Sequence, residues 1–259
     1  MKLHFSKYQG TGNDFIIIDN RDRQYDALDV AGLCHPKFGI GADGLMLLQN
    51  TEGFDFEMVY YNSDGNTSSM CGNGGRCIVD FANRLQVSKG DKATFKAADG
   101  PHDAVWANDI VELKMQDVER IERDGENRFI LNTGSPHYVV FMENVKDLDI
   151  ISAAHAIRYS DRFRDEGINV NFVEMTGPHH LYVRTYERGV ENETLSCGTG
   201  VTASAIALAR HLGYNAGKHK VHIETPGGQL TVKFHLNNAS REVWLCGPAT
   251  KVFDGEIDV

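Results

Sequence analysis

Residues 70–85 read MCGNGGRCIVDFANRL. Cys71 is followed by three glycines within four residues, then by Arg76, Cys77 and an apolar stretch. Glycines at this density normally punctuate a chain; here they open a segment patterned as a helix. A second stretch, CGTGVTASAIALARHL at 197–212, repeats the arrangement 126 residues later. The same offset carries Tyr60 onto Tyr186, Asn62 onto Arg188, Gly41 onto Gly167 and Asp43 onto Asn169. TGNDFIII at 11–18 matches TGSPHYVV at 133–140 with an offset of 122, and Lys92 matches Lys220 at 128. One offset with small slips across several elements indicates a duplicated domain.

The flanking periodicities are mixed. DFIIIDN, LMLLQN, FDFEMVYYN, KATFKA, HDAVWAN and IVELKM read as strands of the first half. DALDVAGLCHPKFG, residues 26–39, reads as a short helix stopping near Pro36 and Gly39. In the second half HYVVFME, NVNFVEM and HHLYVRTYE read as strands, and DLDIISAAHAIRYS as a helix. Hairpin spacing, rather than long βαβ alternation, argues against a Rossmann sheet. The expected fold is α+β: two similar, pseudo-symmetric domains, each a curved, mostly antiparallel sheet wrapped around a central helix. The first is expected over residues 1–112, with the tail 248–259 returning to it, and the second over 113–247.

The 259 residues carry a formal charge of −10 and show no basic stripe, which disfavours nucleic-acid binding. No apolar run approaches the roughly 18 residues of a membrane helix. The start, MKLHFSKYQGTGNDF, lacks a signal-peptide core. A cytoplasmic protein without membrane partners is expected. The five cysteines, at irregular spacing, do not suggest a disulfide framework.

A cysteine at a helix N-terminus sits where free N–H groups and the helix dipole favour a thiolate. The glycines let a ligand approach the backbone, and the amides of Gly72, Asn73 and Gly74 form a cradle for a carboxylate. Two such loops in related domains can present two thiols to one bound carboxylate. One thiolate then removes the proton from the adjacent carbon while the other thiol returns a proton on the opposite face. That chemistry inverts a stereocentre without a cofactor, provided the site stabilises developing charge and excludes water.

GTGNDF, MCGNGGRC, GSPH, and YERG before SCGTG together resemble the diaminopimelate epimerase family, whose members work without pyridoxal phosphate. The resemblance runs from Gly10 to about Gly255. It implies an isomerase that converts LL-diaminopimelate to meso-diaminopimelate in lysine and peptidoglycan synthesis, as a homodimer. It implies Cys71 and Cys197 as the acid–base pair, with His137 and Glu187 setting protonation and orientation. It implies Asn13, Asn62, Asn169, Glu187 and Arg188 as substrate contacts, mainly at the distal end. Gly72, Asn73, Gly198 and Thr199 would hold the reacting carboxylate. Many members carry Asn-Pro-His where this chain has Ser135, Pro136 and His137, and some carry glutamine where it has Gly44; both changes touch distal-end recognition.

Cys34, Cys77 and Cys246 read as packing residues, since free cysteine behaves as a small hydrophobe. No metal site is expected, because the cysteine spacing fits no common ligand pattern. His179 and His180 read as a surface pair, Gly10 and Gly12 as turn glycines, and DRFRDE at 161–166 as a solvated loop. Two other functions fit less well. A proline-type racemase would carry His in place of Asn73 and be longer; a histidine-type racemase keeps most of these motifs, but Asn62, Asn169 and Arg188 favour a substrate with a second charged end. A non-catalytic amino-acid-binding protein has no need of two matched thiols.

Overall fold

A computed structural model describes residues 2–25, 27–88 and 90–259. The chain divides into two compact units, residues 1–113 with 247–259, and residues 114–246.

The first unit contains β1 (Lys2–Gly10), β2 (Asn13–Asp19), α1 (Val30–Cys34), β3 (Gly44–Gln49), β4 (Phe56–Asn62), α2 (Gly72–Arg84), β5 (Lys92–Ala97), β6 (Gly100–Ala107) and β7 (Ile110–Lys114). The second contains β8 (Ile121–Arg123), β9 (Arg128–Asn132), β10 (Pro136–Phe141), α3 (Ile150–Arg158), β11 (Asn169–Gly177), β12 (His180–Glu187), β13 (Asn192–Thr194), α4 (Gly198–Leu212), β14 (Gly217–Thr225), β15 (Gly228–Leu236) and β16 (Ser240–Pro248). The last strand, β17 (Thr250–Asp258), pairs antiparallel with β1.

Both units use the same ladder. In the first, β1–β2 is antiparallel, β2–β3 parallel, β3–β4 antiparallel, β4–β5 parallel, and β5–β6 and β6–β7 antiparallel. In the second, β9–β10, β10–β11, β11–β12, β12–β14, β14–β15 and β15–β16 repeat that sequence of directions. Strand β8 flanks β9 as β17 flanks β1. Helix α2 touches β17, β1, β2, β3 and β6, and α4 touches β9, β10, β11, β12, β14 and β15. A helix only about 10–12 Å wide reaches that many strands because the sheet curls around it.

The apolar runs of β2, β3 and β11 follow from burial on both faces. In the first unit Ile16, Ile18, Leu45 and Leu47 pack on Val30 and Leu33 of α1. Alternation then turns Phe15 and Met46 towards α2, where both approach Gly74. In the second unit Tyr138, Val170, Phe172 and Tyr186 pack on Ile150 and Ala154 of α3, leaving His137, Asn171 and Thr185 facing α4.

These faces correct the repeat alignment. Phe15 registers with Gly44, and Met46 with Tyr60. His137 registers with Asn169, and Asn171 with Thr185. The true counterparts across β3 and β4 are therefore Gly44 and Asn169, Met46 and Asn171, and Tyr60 and Thr185, an offset of 125. Tyr60 faces α2, whereas Tyr186 lies on the α3 side of its sheet. A match of tyrosines one residue out of register exchanges the two faces of a strand.

Helix α1 is shorter than residues 26–39. It is capped at Asp29, whose side chain accepts from Gly32 N, and stops at His35 before Pro36. Asp26 lies outside the described residues. No helix among the described residues is long and apolar enough to cross a membrane.

Helix α2 is buried from Gly72 to Ala82, and this includes a carboxylate, Asp80. Asp80 accepts from the Tyr8 hydroxyl at 3.0 Å, Trp106 Nε1 at 3.0 Å and Arg84 Nε at 2.6 Å. Burial, and then Asp80, push the Tyr8 phenol well above its ordinary pKa. Asp80→Ala leaves the buried Tyr8 hydroxyl without its acceptor and removes the partner of Trp106 and of half-exposed Arg84, and should cost about 3 kcal/mol. A urea midpoint unchanged from wild type would contradict this anchoring role.

Candidate active site

The candidate site residues of each unit lie at the first turn of its buried helix and at strand ends. Cys71 is the N-cap of α2, with φ −95° and ψ 132°, and its side chain makes no capping bond. Gly75 N donates to Cys71 O at 2.7 Å. The amides of Gly72, Asn73 and Gly74 therefore have no intrahelical acceptor and point outward from the helix end. Cys197 repeats this at α4, with φ −116° and ψ 112°, no capping bond, and Val201 N donating to its carbonyl at 2.9 Å. Both termini provide backbone donors and the positive end of a helix dipole for an anion.

Close packing brings each helix start onto its sheet. A Cβ on Gly74 would lie 3.2 Å from Met46 Sδ and 3.4 Å from the Phe15 ring. A Cβ on Gly200 would fall inside van der Waals contact of Asn171 Oδ1 and 3.2 Å from Thr185 Oγ1. The counterparts match, but the chemistry differs: the first unit places an aromatic ring and a thioether under its helix, the second a carboxamide and a hydroxyl.

In the first unit Asn13, at the start of β2, donates through Nδ2 to Asp43 Oδ2 at 2.6 Å. Asp14 N donates to the same oxygen at 3.1 Å, and Lys7 Nζ pairs with Asp14 Oδ2 at 2.6 Å. Because a carboxylate only accepts, Asn13 must turn Oδ1 the other way. There it accepts from Cys71 Sγ at 3.6 Å and Asn73 Nδ2 at 3.5 Å. Arg76, fully buried, donates to Gly72 O, Thr11 Oγ1 and Asn73 Oδ1, each at 3.1 Å. Its guanidinium ties the helix's first turn to the β1–β2 hairpin. Asn62 ends β4 opposite Gly44. The missing side chain at Gly44 leaves room for the Tyr60 ring, which a Cβ there would meet at 2.6 Å.

In the second unit Cys197 Sγ lies 3.4 Å from Thr199 Oγ1. Thr199 O accepts from Thr133 Oγ1 at 2.9 Å, which fixes the loop before His137 to the helix start. His137 is fully buried, and Asn171 Nδ2 approaches its Nδ1 at 3.0 Å. Burial, aided by the positive charge of Arg188, pushes the His137 pKa down to about 3. Glu187 accepts from Thr194 Oγ1. Arg188 N donates to Asn169 Oδ1 at 2.9 Å, and its Nη1 to Glu166 O at 3.1 Å. Asn169 uses both amide hydrogens, on Ser135 Oγ at 2.8 Å and Pro136 O at 2.9 Å. Asn169 thus staples the Ser135 turn to the strand end carrying Arg188, and Ser135 serves as its acceptor.

Within the first unit the structure gathers Cys71, Gly72, Asn73 and Asn13; Asn62 stands at the β4 edge of the same sheet face. Within the second it brings together Cys197, Gly198 and Thr199 at the helix start, tied through Thr133 to the loop before His137, while Asn169, registered with His137, joins Arg188 at the strand end and Glu187 bonds Thr194. Sequence reading missed Asp43, Arg76, Asn171 and Thr185. The signal for Asn171 was the alternation of Asn169 and Asn171 in an otherwise apolar strand. For Arg76 it was a charge set among glycines in a buried helix. Burial pushes the Cys34 thiol up to about 11, and the fully buried Cys77 higher still, as befits packing residues. No group of three or more His, Cys, Asp or Glu among the described residues is placed to hold a metal ion.

A family model described as diaminopimelate epimerase matches residues 5–121 and 129–252. The chain is 50% identical to a diaminopimelate epimerase of Flavobacterium psychrophilum, over 99% of this chain and 100% of that one. It is 41% identical to a diaminopimelate epimerase of Methanocella arvoryzae, over 100% and 98% of the two chains. Among solved structures, a PhzF-family phenazine biosynthesis protein of Bacillus anthracis superposes with a TM-score of 0.78 at 12% identity, over the whole of both chains. A hydroxyproline epimerase of Agrobacterium vitis gives a TM-score of 0.69 at 12% identity, over 99% of this chain and 92% of that one. At such identity these two structures establish the shared fold alone.

Gly200→Ala should destabilise the protein by about 1–3 kcal/mol, because overpacking against the Asn171 carboxamide outweighs the gain in helix propensity. Gly74→Ala should cost less, since the Met46 thioether can turn aside. Urea denaturation of the two variants checks the order.

Proposed function

The chain belongs to the diaminopimelate epimerase family, and on that premise we propose that Cys71 and Cys197 are the two groups that move the α-proton in its epimerisation of LL-diaminopimelate to meso-diaminopimelate. The observation that carries this reading is the pair of N-cap cysteines, each at a buried helix start opened by glycine and each with a thiol unused in capping.

The α-proton of an amino acid is weakly acidic, so removal requires that charge developing at the carbon and its carboxylate be met by fixed donors. Gly72 and Asn73 on one helix, and Gly198 and Thr199 on the other, supply backbone donors for that carboxylate. One cysteine, as thiolate, takes the proton; the other, as thiol, delivers one to the opposite face. The two exchange protonation states in each turnover, and the reverse reaction starts from the exchanged state. No cofactor is needed in this scheme. Asn13, its oxygen turned towards Cys71 by Asp43, supplies an acceptor for the thiol form. Thr199 places a hydroxyl beside Cys197 that can donate to the thiolate.

His137 and Glu187 complete the reacting end. Arg188, a planar fork, takes the distal carboxylate, with Asn13, Asn62 and Asn169 around that end. Asn169 contributes chiefly by holding Arg188, since its amide hydrogens are already engaged. The racemase and binding-protein alternatives lose ground to the full-length relatives named for diaminopimelate. The same proposal takes the protein as a cytoplasmic homodimer serving lysine and peptidoglycan-precursor synthesis. The outer strand β17, with Val252 and Phe253 about half exposed, supports an association of chains.

Proton NMR in D₂O tests the reading directly. The α-proton signal of LL-diaminopimelate should disappear as meso product forms, while L-histidine and L-proline stay unchanged. Cys71→Ala and Cys197→Ala should each lower kcat by about 1000-fold or more with the fold retained; wild-type turnover in either would overturn the two-thiol assignment. Arg188→Lys should raise KM by about tenfold. An unchanged KM would place the distal carboxylate elsewhere.

A further inference from the structure

The inner face of β10, β11 and β12 carries a chain of polar side chains that the two-thiol scheme leaves unexplained. Asn171 and Thr185 are a registered pair on adjacent strands, and both are buried. Thr185 Oγ1 donates to Asn171 Oδ1 at 3.0 Å. On its other side Asn171 Nδ2 faces Tyr138 O at 3.4 Å and His137 Nδ1 at 3.0 Å. The Tyr138 carbonyl can only accept, so the carboxamide must present its NH₂ to that side. An NH₂ facing His137 Nδ1 requires Nδ1 to accept. In a neutral imidazole the proton is then on Nε2. His137 Nε2 is buried and has no hydrogen-bond partner among the described residues.

We propose that Asn171 is a positioning residue that fixes His137 as the neutral Nε2–H tautomer, so that His137 serves the epimerisation as a hydrogen-bond donor and not as a proton acceptor. Protonating Nδ1 would set two donors face to face unless the carboxamide turned over. Turning over would press Oδ1 against the Tyr138 carbonyl and remove the acceptor from Thr185. The low pKa of His137 agrees with a ring that stays neutral. A buried N–H without a partner costs about 1–3 kcal/mol. Such a cost persists at functional sites where a bound group takes up the bond. Here that group would be an anion formed or bound during turnover: a neutral donor stabilises it without becoming a competing base.

The first unit shows that the fold does not demand this arrangement. The counterparts of His137, Asn171 and Thr185 there are Phe15, Met46 and Tyr60, and they pack as a core under Gly74. The sheet therefore folds with apolar residues at these places. The polar set in the second unit does something that packing alone does not require.

The test is nitrogen-15 NMR of the histidine-labelled full chain at neutral pH, with the His137 signals assigned by comparison with His137→Gln. Wild-type protein should show Nε2 protonated and Nδ1 as the unprotonated acceptor. Asn171→Asp, whose carboxylate only accepts, should move the proton to Nδ1 and lower kcat about 100-fold with KM within about threefold. Thr185→Val, which frees the carboxamide to turn, should give a mixture of tautomers. A wild-type ring protonated on Nδ1 would overturn the proposal even if neither variant folds. So would Asn171→Asp with wild-type kcat. The kinetic part rests on the epimerase reading, and the tautomer measurement does not. Wild-type protein that failed to turn over diaminopimelate would count against that reading and leave the ring assignment standing.

Discussion

The close approach of a helix start to the sheet beneath it governs the rest of this molecule. At Gly200 there is no room for a side chain, and at Gly74 one fits only if the Met46 thioether gives way, so each helix begins within contact distance of its central strands. That contact fixes the first-turn amides against a rigid surface. It also places the N-cap cysteine where the strand ends deliver polar groups to it. Precise sites are built on such packed elements rather than on loops. The curled sheet then buries the helix, at the cost of enclosing Arg76 and Asp80, each held by several hydrogen bonds.

Duplication supplies two such helix starts, and divergence beneath them makes the halves unequal. Under α2 the face is Phe15, Met46 and Tyr60. Under α4 it is His137, Asn171 and Thr185. A reaction that removes a proton on one side and returns one on the other does not need identical sides. It needs one acceptor and one donor at each moment, and surroundings that keep their free energies close. The oxygen of Asn13 beside Cys71 and the hydroxyl of Thr199 beside Cys197 give the two sulfurs different polar neighbours.

Several residues that read as contacts with substrate are also structural joints. Asn169 holds the Ser135 turn and the Arg188 backbone together. Ser135 supplies the acceptor oxygen that one amide hydrogen of Asn169 uses. The tyrosine that fills the space at Gly44 accounts for the absence of a side chain there. Neither Ser135 nor Gly44 disturbs the helix starts that carry the cysteines.

The elements that depend on local order are legible in the chain alone. The glycine-rich cysteine loops, the helices behind them and the duplication could all be read from residues 70–85 and 197–212. Local propensity and periodicity act within a few residues, so these features are carried by short stretches of chain. Which face of each strand meets which helix is set by packing between elements far apart in the chain. Strand side chains alternate with a period of two, and the offset of 126 that fits the helices becomes 125 across the neighbouring strands. A matched pair of tyrosines gave no warning of that slip. The partnership of Asn171 with His137, the turning of Asn13 by Asp43 and the burial of Arg76 all depend on contacts between residues distant in the chain. They arise from sheet register and helix packing, and no local pattern encodes them.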